Sequence, residues 1–363
     1  MERFSLRESI LQCSRLTRAS KSNFYPAFSF LSKDRSEAME ILYAYTRFTD
    51  DLIDSPEIDP ATGNLLSVNS RRIRQRLNQW CAALEAVLGK IDGTAAQIGD
   101  PSDSAAFENL YKQFPSCTGF VLLPAIKMIV NKFQIPIQPF FHLIDGVDSD
   151  IEMRRFCTFE DVADYCHQVA TSVGFASLAI WGTVEPLFSD EIVKAAKATG
   201  IAFQLTNIVR DLCEDFENGR LYLPTDEITR TGLTENQFGS LLNRDTWNAM
   251  KYNHKKNVTS DENYIDTERI KQMEKLENKF EQVLSKQFER CDIYYTKSAQ
   301  LYKLINPQCR KVFGMMWSRY YTLFRIMQRN PKRILSKKRV TLSYYQKLKL
   351  YLRWRLLPCF RLE

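Results

Sequence analysis

Residues 204–215 read QLTNIVRDLCED. Set in apolar sequence, this stretch has the spacing of a helix that begins at SDE (189–191) and extends to about Glu217. At about 100° per residue, Asn207, Asp211 and Asp215 fall at i, i+4 and i+8 down one face, with Gln204 one turn above. An acidic stripe is ordinarily a solvated helix face, because like charges four residues apart repel and nothing else is gained. A second stripe changes that reading. Residues 41–54, ILYAYTRFTDDLID, place Asp50 and Asp54 one turn apart on one face, with Asp51 beside them and Arg47 one turn before Asp50. Hard divalent cations such as Mg2+ take carboxylate oxygens together with waters and substrate phosphates. Two facing acidic helices would hold a small cluster of Mg2+ ions against a diphosphate, and burying such carboxylates without cations would be prohibitive.

Working outward from these stripes, the chain reads as helix after helix. Apolar periodicity predicts helices over 36–54, 71–88, 105–114, 118–134 and 137–145. Another starts near Thr158, where TFED has the form of a capping box, and runs through YCHQVATSVGFASLAIW. GRLYLP (219–224) breaks the pattern, and helices at 277–304 and 308–329 close the body. Loops are expected at 55–70 and 91–104, and part of 244–275 reads as a loop or insertion. Gly and Pro are sparse, at 13 each in 363 residues, which suits long helices better than a turn-rich β architecture. The fold class is all-α, with a body over 1–330 and a basic C-terminal segment over 331–363.

Composition narrows the function classes. A chain that is 44% hydrophobic and 26% charged has ample material for a core. No apolar run is long enough to span a membrane, and the N-terminus lacks a secretory h-region, so a cytoplasmic protein is expected. The nine cysteines form no CxxC pair and read as reduced thiols, while three histidines are too few for an imidazole-rich metal site. The net charge of +7 is uneven: ten Lys/Arg lie between Lys332 and Arg361, with Glu363 the only acid after them, which leaves the body near −2. KLKLYLRWRLLPCFR (347–361) mixes cations with Leu, Tyr, Trp and Phe in a helical pattern. That suits peripheral contact with an anionic membrane surface, against the plainer alternative of a packed helix with a solvated basic face. Basicity confined to the tail, without a recognition motif, argues against nucleic acid as a partner.

YAYTRFTDDLID and QLTNIVRDLCEDFENGRLYLP together resemble the paired motifs of the squalene/phytoene synthase family, the head-to-head prenyl synthases. The likeness takes in SKSNFYPAFSFL (20–31) and YCHQVATSVGFASLAIWG (165–182), and covers roughly residues 15–335. It implies a single-domain antiparallel helical bundle of the isoprenoid synthase type around a central cavity. It also implies Mg2+ ligation by Asp50, Asp51, Asp54, Asn207, Asp211 and Asp215. Arg47, Arg210 and Arg220 are implied near the diphosphates, Ser20, Lys21 and Ser22 as a polar diphosphate-contacting segment, and Tyr43, Tyr165, Gln204 and Tyr222 as polar cavity positions.

The implied reaction condenses two prenyl diphosphates. The chemistry asks for Mg2+ and Arg at the diphosphates and a dry cavity around an allylic cation. Aromatic faces would steady that cation, and FYPAFSFL, Tyr43, Tyr45 and Phe203 supply them, although aromatics at helical spacing are more often simple core. Tyr165 and the released diphosphate both stand as proton acceptors. SKSNFYPAF and YCHQVATSVG look most like the bacterial presqualene diphosphate synthases, which use two farnesyl diphosphates. Phytoene synthase, acting on two geranylgeranyl diphosphates, and squalene or dehydrosqualene synthase are the alternatives, and a non-catalytic assembly relative is the alternative from another class. No GxGxxG follows a predicted strand, so NADPH is not favoured, although reductive relatives bind it without that motif.

Overall fold

Ser5 begins the first helix by accepting the Glu8 backbone N–H at 3.3 Å, which satisfies one of the donors a helix start leaves over. That helix, α1 (Leu6–Ala19), leads through a 3-10 turn (Tyr25–Phe30) into α2 (Lys33–Asp54). Then come α3 (Ser70–Leu88), α4 (Ser104–Gln113), a 3-10 turn (Thr118–Leu122), α5 (Leu123–Phe133) and α6 (Gln138–Ser149). The middle of the chain holds α7 (Phe159–Cys166), a π-helical turn (His167–Thr171), α8 (Ser172–Trp181) and α9 (Asp190–Glu217). The remainder holds α10 (Thr225–Arg230), α11 (Glu235–Leu242), α12 (Asn263–Ser298), α13 (Leu301–Leu304), α14 (Arg310–Arg329) and α15 (Tyr344–Leu356). This computed structural model describes residues 5–20, 22, 24–54, 70–114, 118–152, 155–242, 263–335 and 338–356. Among them the only β-type pairings are two isolated bridges, Arg155 with Leu221 and Thr183 with Ile305.

Two helices organise the interior. α2 buries Ala38, Ile41, Leu42, Ala44, Tyr45, Thr49 and Leu52, and packs against α1, α3, α5, α6 and α8. Its seat is set by polar contacts inside the core: Tyr45 donates to the Phe140 carbonyl at 2.6 Å, and Trp80 Nε1 donates to Thr49 Oγ1 at 3.0 Å. Buried donors need such partners. α9 packs along α12, where the Thr206 and Tyr295 hydroxyls meet at 2.8 Å, and also touches α7, α8 and α14. α8 lies between α2 and α9 and is apolar nearly all round, as a helix covered on every side must be.

The π turn fits between α6 and α9 because both offer glycine there. A Cβ on Gly146 would come within 2.5 Å of Val169, and one on Gly200 within 2.2 Å of the Thr171 hydroxyl. Thr158 and Asp161 form the expected capping box. The expected single helix after Thr158 is three segments, because the π turn interrupts it. Residues 263–275 are helical, as the start of α12, where a loop or insertion was expected for part of 244–275; 243–262 lie outside the described residues.

Candidate active site

A cavity of about 280 Å3 opens between α2, α8, α9 and α14. α8 gives it an apolar wall of Val173, Gly174, Leu178 and Trp181, and α9 contributes Phe203, Gln204 and Asn207. A second chamber of about 370 Å3 shares Phe24, Tyr43, Arg47, Asp50, Asn207 and Tyr320 with the first. To these it adds Ser20, Ser22, Arg210, Arg319, Arg339 and Thr341. One space is therefore greasy and the other rich in guanidinium groups. Phe24, Tyr320 and Phe203 stack at the junction, with ring centroids 5.1 Å apart for the first pair and 4.7 Å for the second.

The charges are arranged around Asp211. Arg210 Nε and Nη2 donate to its two oxygens at 2.8 and 2.5 Å, and Arg339 does the same at 2.6 and 2.5 Å. Burial pushes the Asp211 carboxyl up, but the two bidentate guanidiniums outweigh it and hold the group below the usual carboxylate range. For Arg210 burial works against the charge, and Asp211 more than restores it. Asp215, one turn on, is pushed up to about 7 by burial and by the Asp211 charge, only partly countered by Arg220. Arg319, 6% exposed, has its pKa lowered by burial.

On α2, Arg47 donates to Asp51 at 3.1 Å through Nε and pairs with it through Nη2 at 2.5 Å. Asp50, a neighbour of Asp51, lines both cavities instead. The Asp54 side chain and all of Lys21 lie outside the described residues. Tyr43 and Gln204 are on the lining of the apolar cavity, and Ser20 and Ser22 on that of the chamber. Tyr165 and Tyr222 are on neither. Both donate to Asp150, at 2.8 Å each, and their rings stack with centroids 5.0 Å apart. Burial, followed by the Asp150 charge, raises both phenols well above their ordinary value. GRLYLP positions Tyr222: α9 stops at Asn218, Gly219 takes a φ of 79°, and Arg220 N–H returns to the Asp215 carbonyl at 2.8 Å. Tyr45, counted among the aromatic candidates, is 1% exposed, bonds the Phe140 carbonyl and belongs to the core.

Four residues escaped the sequence reading. Asp150 ends α6 with no pattern to mark it, and Arg319 and Tyr320 sit in an aromatic helix that reads as packing. Arg339 had a signal, as one cation of the basic tail, but nothing in that tail singles it out.

The donor set suits a hard divalent cation. Asn207 Oδ1 is buried without a hydrogen-bond partner in the structure, and Asp215 has its pKa raised by burial first and by the Asp211 charge second. Among the described residues no three Asp, Glu, His or Cys side chains converge closely enough to hold an ion as they stand; Asp211 is held by two guanidiniums and Asp51 by Arg47.

Residues 17–253 match the family model for squalene/phytoene synthases. Phytoene synthase 1 of Zea mays is 30% identical over 248 residues, which is 67% of this chain and 52% of the maize protein. Phytoene synthase 2 of Solanum lycopersicum is 30% identical over 67% of each chain. Against several of its curated relatives the chain therefore spans about half of their length. Among solved structures, a dehydrosqualene synthase with bound ligand superposes with a TM-score of 0.63 at 22% identity, covering 96% of both chains. The squalene synthase HpnC of Alicyclobacillus acidocaldarius gives 0.59 at 18% identity, covering 90% of this chain and 95% of its own. These structural likenesses establish the all-α isoprenoid synthase fold.

Proposed function

The chain belongs to the squalene/phytoene synthase family, whose members are prenyltransferases that use divalent metal ions, and from that premise we propose that it condenses two prenyl diphosphates head to head. The preferred pair is two farnesyl diphosphates, giving presqualene diphosphate. One observation carries the proposal: Asp50 and Asn207, one from each acidic stripe, line both the guanidinium-rich chamber and the apolar cavity. Heads that need charge and tails that need grease would be served by adjoining spaces.

In this reading the diphosphates occupy the chamber, where Arg47, Arg210, Arg319 and Arg339 supply planar donors to phosphate oxygens, with Ser20 and Ser22 alongside. Asp50, Asp51, Asp54, Asn207, Asp211 and Asp215 would hold the divalent ions, and Mg2+ suits their oxygen donors. When bound, such ions neutralise charge on a departing diphosphate. The prenyl tails lie in the apolar cavity, whose walls keep water from the allylic cation. The C1–O bond of one substrate breaks with its electron pair leaving on the diphosphate. The double bond of the second attacks that C1, and loss of a proton closes the cyclopropane. The stacked faces of Phe24, Tyr320 and Phe203 lie where they can steady positive charge without attacking it. The proton goes to the released diphosphate, because Tyr165 directs its hydroxyl to Asp150 and stands off the lining of both cavities.

A second reading, two geranylgeranyl diphosphates to phytoene, is favoured by the phytoene synthases among the relatives. The C-terminal segment is proposed to bring the protein to a membrane surface; no helix among the described residues is long and apolar enough to cross one. Product identification after incubation with farnesyl or geranylgeranyl diphosphate and Mg2+, with and without NADPH, tests the proposal. Presqualene diphosphate from the C15 substrate is the expected outcome, and phytoene from the C20 substrate would establish the second reading. Absence of diphosphate release from either substrate would leave the assembly role.

A further inference from the structure

α15 has two apolar faces where a helix lying on a protein body needs one. The inner face is spoken for. Trp354, 1% exposed, lies over Gly314 of α14 so closely that a Cβ there would come within 2.1 Å of the indole, and its Nε1 donates to Ser318 at 3.0 Å. Tyr351 packs on Phe30 of the N-terminal 3-10 turn, with ring centroids 5.5 Å apart.

Opposite this anchor, Tyr344, Tyr345, Leu348, Leu352 and Leu356 are all exposed, Tyr344 at 82% and Leu356 at 73%. At about 100° per residue these five side chains fall within an arc of roughly 120°, turned away from Trp354. Arg355 falls within the arc and Lys349 just beyond its edge, and both are exposed too. From Pro331 to Leu356 there is no Asp or Glu. A helix held this firmly from inside gains nothing in water from five outward apolar side chains.

We infer that this outward arc of α15 is a docking surface for a bilayer containing anionic lipid, with the tyrosines and leucines entering the headgroup boundary and the cations within and beside the arc meeting lipid phosphates. The inference rests on the proposed peripheral contact of the C-terminal segment and supplies its face and its lipid. Charge chooses the occupant: a second copy docked face to face would set cations against cations, whereas anionic lipid answers them. The exposed Phe188 and Val184 have no such complement, since Glu185, Asp190 and Glu191 surround them in sequence. The docked helix continues directly from the segment whose Arg339 and Thr341 line the chamber, so a substrate that partitions into lipid would be received beside its site.

The test is flotation of the full chain with phosphatidylcholine vesicles made with and without phosphatidylglycerol. Binding to the anionic vesicles alone is expected, weakening with salt. Leu348→Glu with Leu352→Glu should lower the partition coefficient at least about tenfold. Lys349→Gln with Arg355→Gln should lower it on anionic vesicles and flatten the salt dependence. Both variants should keep the wild-type melting temperature and the diphosphate release measured in detergent solution, which separates loss of docking from failure of the catalytic reading. Equal binding by wild type and variants, or no binding of wild type to anionic vesicles, overturns the inference. So does a concentration-dependent dimer abolished by Leu348→Glu, which would assign the arc to a second copy.

Discussion

The apolar cavity and the arginine-bearing chamber meet at Asp50, Asn207 and Tyr320, yet beyond that junction one wall of the cavity is built unlike anything in the chamber. That wall is made of neighbours: α8 and the π turn before it supply Val169, Ala170, Val173, Gly174, Ser177 and Leu178 from one short run of sequence. The chamber is assembled from a distance, with Ser20, Arg47, Arg210, Arg319 and Arg339 arriving on five separate parts of the chain. The lesson is a division of labour. A greasy wall can be made by one helix, whereas a cluster of like charges needs several elements, each held by its own packing, and a carboxylate among them: Arg210 and Arg339 share Asp211.

The largest effect should come from the shared wall and its neighbour. Asp50→Asn or Asp211→Asn should lower turnover on the order of 10^3-fold with an unchanged helical circular dichroism spectrum; preserved turnover in both would break the link between head and tail spaces. On the chamber side alone, Arg319→Gln should raise KM about tenfold for C15 and C20 diphosphates alike, as read from steady-state kinetics. A preference for one chain length would mean that Arg319 belongs to the tail space. On the cavity side, a Cβ on Gly174 would meet nothing within 4 Å, so Gly174→Leu extends into open volume. It should lower use of the C20 relative to the C15 diphosphate several-fold, up to about tenfold, without lowering the melting temperature.

The smallest effect at neutral pH belongs to a control outside both spaces. Glu227 accepts from Arg290 and, at 2.8 Å each, from Lys286 and Gln287. Burial raises its pKa, but these donors outweigh it and bring the group down from 4.5 to about 2. With the folded value below the unfolded one, the stabilisation is complete above about 4.5 and is lost as pH falls through about 2. The fall in melting temperature with pH across that window should be steeper for wild type than for Glu227→Gln, while catalysis at neutral pH differs little.

The same contrast explains what could be read in advance. Local periodicity showed the helices that carry both stripes and the apolar wall, because a helix face is written into spacing of three and four. Asp150 could not be found that way: its two tyrosine partners lie 15 and 72 residues away, and a lone aspartate at a helix end has no pattern. Arg319 was hidden among aromatic core residues, and Arg339 looked like one charge among many. The tail reads as a separate basic segment in sequence, yet Val340 and Leu342 are buried and Arg339 clasps Asp211. Which cation turns inward is decided by tertiary packing alone.

The π turn at His167–Thr171 has a consequence for register. Tyr165 and Val169 are four residues apart, and an unbroken α-helix would present both on one side. A π turn takes in one residue more per revolution, so the stretch before it is swung round by roughly a quarter of a circle relative to the stretch after it. Val169 thereby stays on the cavity while Tyr165 swings to Asp150. Removing a single residue from this turn would return the phenol to the greasy wall and take from Asp150 one of its two tyrosine donors, which makes the length of this segment, more than its composition, the quantity its surroundings hold constant.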